Sequence, residues 1–126
     1  MTEFVHLHCH SEYSLLDGLA DARDLCKATV ENGKDALALT DHGVMFGAVE
    51  FYRAAEAAGI KPIIGSELYV ARGSRLERTG GAQKGQGAYH LTVLAQNETG
   101  YKNLLQLASK AQLEGFYYKP RVDKEL

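Results

Sequence analysis

Apolar positions along this chain recur at two spacings, and the alternation between them predicts the fold. "EFVHLH" (3–8) has the alternation of a strand. "ADARDLCKATVENG" (20–33) follows at helical spacing, with Ala22, Leu25, Cys26 and Thr29 on one face and Gly33 as the stop. "DALALTDHG" (35–43) is a near-continuous apolar strand that breaks into a polar turn. The next helix is "MFGAVEFYRAAEAAG" (45–59), with Ala48, Phe51, Tyr52 and Ala55 as its buried stripe. "KPIIGSELYVA" (61–71) and "YHLTVLAQ" (89–96) read as further strands. "ETGYKNLLQLASKAQLEG" (98–115) reads as a third helix, with Tyr101, Leu104, Leu105, Ala108 and Ala111 in line. Strand–helix–strand alternation predicts an α/β fold with a parallel sheet or barrel. An apolar run such as "ALAL" suits burial on both faces, as parallel strands require.

Composition narrows this without redirecting it. The chain has 126 residues, 45% hydrophobic and 24% charged, which suits one globular domain or part of one. A formal charge of −2 argues against a histone-like nucleic-acid binder, though not against an enzyme acting on nucleic acid. No run approaches the roughly 18 apolar residues of a membrane span, so no membrane partner is expected. Two cysteines, Cys9 and Cys26, are too few for a disulfide framework, and a reducing cytoplasmic setting follows. Residues 72–88 are rich in glycine and carry Arg72, Arg75, Arg78 and Lys84 against Glu77. Such a segment reads as a flexible basic loop, with contact to a polyanion as the alternative.

Candidate chemistry gathers where the strands end, since ligands in parallel α/β folds sit beyond the carboxyl ends of strands. The first strand ends in His8-Cys9-His10, the second in Asp41-His42, and Glu67 lies in the third. Alternate residues of a strand share a face, so His8 and His10 can reach one cation while Cys9 points away. Asp17 in "LLDG" is either a turn residue before Gly18 or a further carboxylate ligand. Asp41 would cap the helix starting near residue 45 or orient His42 from behind, and the second role is favoured. His90 lies early in its strand, which simple topology sends to the opposite rim, so the pattern does not place it. Ser11 and Ser14 lack a G-x-S-x-G elbow, and "GVMFG" is not a dinucleotide-binding glycine pattern.

"HLHCHSEYSLLDG", "ALTDHG", "FYRAAEAAGIKPIIGSELYV" and "YHLTVLAQNETGYKNLLQLASKAQLEGFYYKPRVDKEL" together resemble the PHP (polymerase and histidinol phosphatase) domain at the N-terminus of bacterial replicative DNA polymerase alpha subunits. The likeness covers the chain apart from residues 72–88. It implies a distorted β/α barrel holding a cluster of divalent metal ions, with His8, His10, Asp17, His42, Glu67 and His90 as ligands. Zinc, manganese or iron suits imidazole-rich ligation, with magnesium also admissible. His6 stands where many such domains have an aspartate and would support the ligands from behind.

The resemblance implies a metal-dependent phosphoesterase, acting as a 3′–5′ exonuclease on a primer 3′ end within a DNA polymerase. DNA, the polymerase body and other replisome subunits would be its partners. The alternatives are a small-molecule phosphatase of the histidinol-phosphate kind and a non-catalytic scaffold stabilised by metal. Family domains continue past residue 126 and add a cysteine and an Asp-x-His pair. The chain therefore reads as the N-terminal portion of a barrel, expected by itself to self-associate and to lack activity.

Overall fold

A computed structural model of the protein describes residues 4–78 and 87–126. In chain order these form α1 (Ala22–Glu31), β1 (Ala36–Leu39), α2 (Ala48–Ala58), β2 (Lys61–Ala71), β3 (Ala88–Leu94), α3 (Glu98–Leu113) and β4 (Arg121–Val122). Local chemistry sets the helix ends. The Asp21 side chain accepts from the Asp24 amide at the start of α1, and Asn97 does the same for Gly100 at the start of α3. Gly59 closes α2 in the left-handed region, at φ 72°, where a side chain would be strained.

β2 is the spine of the sheet. Its first half pairs in parallel with β1, Ala36 to Leu39 running beside Lys61 to Ile64. Its second half is flanked by β4 in parallel and by β3 in antiparallel register, with Tyr69 opposite His90. The sheet is therefore mixed, and the expected all-parallel arrangement fails at β3. Among the described residues no helix lies between β2 and β3, and a crossover to a parallel partner usually runs through one. The expected first strand also differs. Residues 4–10 run beside β1 but meet it through a single bridge, His6 to Leu37, with hydrogen bonds from Ala38 N to His6 O and Thr40 N to Cys9 O.

Two apolar clusters cover the sheet. In the first, Ala22 and Cys26 of α1 and Phe51 and Ala55 of α2 pack with Leu37 and Leu39 of β1. Cys9 packs against this cluster too. In the second, Leu68 of β2 meets Ala111 of α3 and Val122 of β4. Phe51 is fully buried, and truncating it to alanine removes contacts on the order of 3–5 kcal/mol. Tyr52 and Leu105, expected in the buried stripes, are exposed because no described element covers those flanks of α2 and α3.

Residues 72–78 are held down. Arg75 pairs with Glu114 and Asp123, and Arg72 donates to the Gly87 carbonyl while lying over the Tyr89 ring. Residues 79–86, including Lys84, lie outside the described residues.

Candidate metal centre

The end of β1 turns sharply beside β2. Glu67 N donates to Asp41 O at 3.0 Å and Gly43 N to Glu67 O at 2.8 Å, so His42 and Glu67 stand side by side. The turn needs Gly43, whose φ is +64° and whose Cβ position is closed by Pro120 and Tyr69. Residues 8–10 are tied to the same place, Cys9 N donating to Thr40 Oγ1. The chain then folds back on itself, with Asp17 N and Gly18 N both donating to Ser14 O, and this returns Asp17 to the rim.

All six predicted ligand residues come together. The ring nitrogens of His8 and His10 each lie 2.7 Å from Glu67 Oε2, and His90 Nδ1 lies 2.9 Å from Glu67 Oε1. His42 Nε2 is 2.8 Å from Asp17 Oδ2, with His10 Nδ1 3.5 Å from the same oxygen. His90, which the alternation pattern sent to the wrong rim, arrives because β3 runs antiparallel and brings its start beside the far half of β2. Tyr69, two residues beyond Glu67, stacks on His42 with 5.9 Å between ring centres. His6 packs its ring on Phe4 and stands outside this group.

Asp41 has partners other than the α2 amides or the His42 ring. It does not cap α2, whose N-cap is Gly47 with no side-chain hydrogen bond. Its carboxylate accepts from the Ser11 amide and the hydroxyls of Ser11 and Ser14, each at 2.7 Å, rather than from the His42 ring. Ser11 and Ser14, weighed in the sequence only as nucleophiles, are buried holders of the site.

Electrostatics at the centre favour anionic carboxylates. Burial pushes the Glu67 carboxyl up, but hydrogen bonds from His8, His90 and His10 and the charge of His42 outweigh it, lowering its pKa from 4.5 to about 2. A hydrogen bond from His42 likewise holds Asp17 below the usual carboxylate range. Exposure grades outward: the Glu67 side chain is 8% exposed, while those of His8, Asp17 and His90 are near half exposed. The centre is buried below and open above.

The donors fit divalent metal. Three triads, His8–His10–Glu67, His10–Asp17–His42 and His42–Glu67–His90, each have ligand atoms within 4.8 Å of one another. Among the described residues His42 Nδ1 is buried without a hydrogen-bond partner, 3.4 Å from Glu67 Oε2, as a lone pair aimed at a cation would be.

A mixed α/β sheet with imidazoles and carboxylates gathered at one edge defines a class, the α/β proteins built around a candidate metal centre. Within that class the chain belongs to the PHP domain family, whose model it matches over residues 6–126. It is 58% identical over 123 residues to DNA polymerase III subunit alpha of Treponema pallidum, and 56% identical over 126 residues to that of Thermus aquaticus. Each match covers 98% of this chain, which spans about a tenth of the length of these relatives. Among solved structures it resembles an amidohydrolase from Chromobacterium violaceum, with a TM-score of 0.55 at 23% identity over 84% of this chain and 34% of that one. A protein from Bifidobacterium adolescentis assigned as a metal-dependent phosphoesterase gives 0.55 at 19% identity, over 86% and 34% of the two chains. At those identities the likeness shows the fold.

Proposed function

We propose that this chain is the N-terminal part of a PHP domain that holds divalent metal ions. Within a bacterial replicative DNA polymerase it would hydrolyse phosphodiester bonds at primer 3′ ends, as a 3′–5′ exonuclease. The observation that carries this reading is the sharing of His10, His42 and Glu67 among the three donor triads. Donors shared in this way would suit a cluster of ions rather than separate sites. Bound divalent ions supply Lewis acidity, charge neutralisation and a water acidified towards neutral pH.

This chain's residues do the rest. Glu67 and Asp17 stay ionised at neutral pH and need lose no proton to ligate. His8, His10, His42 and His90 offer ring nitrogens, a set that suits zinc, manganese or iron better than magnesium alone. The half-exposed side chains of His8, Asp17 and His90 leave one side open for a phosphate group.

The polymerase identities of the relatives support DNA, the polymerase body and other replisome subunits as partners, in the cytoplasm. Among the described residues no helix is long and apolar enough to cross a membrane. The shared fold takes up 34% of each matched structure, which supports a barrel completed by further chain. The isolated chain would then hold an incomplete cluster, fail to hydrolyse DNA and self-associate through the edge strand β3, where Tyr89 and Leu91 are exposed.

Degradation of a mismatched primer by the longer polymerase, with and without His8→Ala plus His10→Ala, tests the proposal. Loss of 3′–5′ degradation in the double variant supports it. Unchanged degradation, or turnover of histidinol phosphate in place of DNA, contradicts it.

A further inference from the structure

We infer that Asp41, with Ser11 and Ser14, is a positioning hub that sets the donor geometry of the metal centre. The inference rests on the metal-binding reading above and concerns residues that touch no ion.

Asp41 is 2% exposed and stands where three donor-bearing segments meet. Its Oδ1 accepts from Ser11 N and Ser14 Oγ and its Oδ2 from Ser11 Oγ, all at 2.7 Å, which fixes the turn between His10 and Asp17. Its backbone oxygen accepts from Ser66 Oγ at 3.1 Å and Glu67 N at 3.0 Å, which fixes the Glu67 segment of β2. His42 is its covalent neighbour, and His42 N donates to Ser14 Oγ at 3.1 Å. Five of the six donors therefore sit on segments bonded to this one residue; His90 alone comes from elsewhere.

The chemistry of the hub is specific to a carboxylate. Each serine hydroxyl has one proton, and both protons are spent on Asp41. An ionised carboxylate only accepts, so it satisfies these donors together. An amide in its place would turn an NH2 group against one of them. No cationic side chain pairs with this buried carboxylate among the described residues, and Asp41 belongs to neither apolar cluster. The hub spends buried polar groups on alignment, at the one place where alignment decides whether ligand atoms converge. Metal sites tolerate ligand distances only within about 0.2 Å.

The test is a Zn2+ titration of the full chain at a temperature well below unfolding of its metal-free form, with the visible spectrum of bound Co2+ as a second readout. Asp41→Asn is expected to weaken Zn2+ binding by about 10- to 100-fold and to change the Co2+ band, the usual size of such supporting effects. Ser14→Ala, a milder change for the case in which the first variant does not fold, is expected to weaken binding several-fold with an unchanged far-ultraviolet spectrum. A purely structural role would lower melting temperature and leave both readouts alone at low temperature. Folded variants that keep Zn2+ affinity within about twofold and the same Co2+ band would overturn the hub, as would Ser14→Ala doing so alone. A parent chain that binds neither ion would instead overturn the metal reading on which the hub rests.

Discussion

Two buried carboxylates in this molecule have opposite surroundings. Asp123 accepts from the Arg75 amide at 2.8 Å and from its guanidinium at 3.1 Å. The same arginine reaches Glu114 at 2.7 Å, and Arg121 donates to the carbonyls of Gly115, Arg75 and Glu77. Glu67 instead faces four histidines, one with a bare ring nitrogen, below an open rim. Guanidinium only donates and stays charged, so the Arg75 knot closes on itself. Imidazole carries ring nitrogens that can ligate a cation, so the Glu67 cluster has the donor chemistry of a metal site. Burial of a carboxylate does not by itself mark a functional site; the chemistry of its partners does.

The largest expected effect separates the two directly. Glu67→Gln should weaken Zn2+ binding by more than about 100-fold, because an amide oxygen is a poor substitute for a shared anionic ligand. The melting temperature of the metal-free protein should also fall, because the histidine hydrogen bonds that hold the Glu67 pKa down are lost. Asp123→Asn should lower melting temperature by roughly 5 °C or more with metal affinity unchanged. Calorimetric titration and thermal melts on both variants check the pair, and retained affinity in Glu67→Gln or lost affinity in Asp123→Asn would break the contrast.

A smaller effect lies in pH. Burial pushes Asp123 up, but hydrogen bonds from the Arg75 amide and guanidinium outweigh it and hold the carboxyl below its ordinary value. A depressed folded pKa contributes stability that is complete above the unfolded value, near 4, and is lost as pH falls through the lower folded value. The acid limb of the stability curve below about pH 4 should therefore be shallower in Arg75→Ala than in the parent. Identical limbs in metal-free protein would show that the knot carries no linkage.

Much of the parallel half was legible in the sequence. The helical stripes of Ala22, Cys26, Phe51 and Ala55 and the apolar "ALAL" each bury as their spacing predicts. His8, His10, His42 and Glu67 could be drawn to one rim because strand ends converge in such folds. The second half was harder for a physical reason. Nothing in "YHLTVLAQ" states whether the strand pairs parallel or antiparallel, and that choice moves His90 from one rim to the other. The means by which Asp41 is held was not legible because its partners, Ser11 and Ser14, lie 30 and 27 positions away, and a carboxylate's hydrogen bonds leave no periodic trace. Tyr52 and Leu105 follow helical spacing onto flanks that no described element covers.

Smallest in effect is the state of association. Edge strand β3, with Tyr89 and Leu91 exposed, should give the isolated chain a concentration-dependent dimer in sedimentation. Charging the edge with Leu91→Lys should return it to monomer.

Metal content tests the central claim most directly. Elemental analysis of the chain purified without chelator should find at least one equivalent of zinc, manganese or iron. The ion should be absent from a folded His8→Ala/His10→Ala variant. A parent chain free of metal at saturating supply, or a double variant that keeps the full complement, would contradict the account.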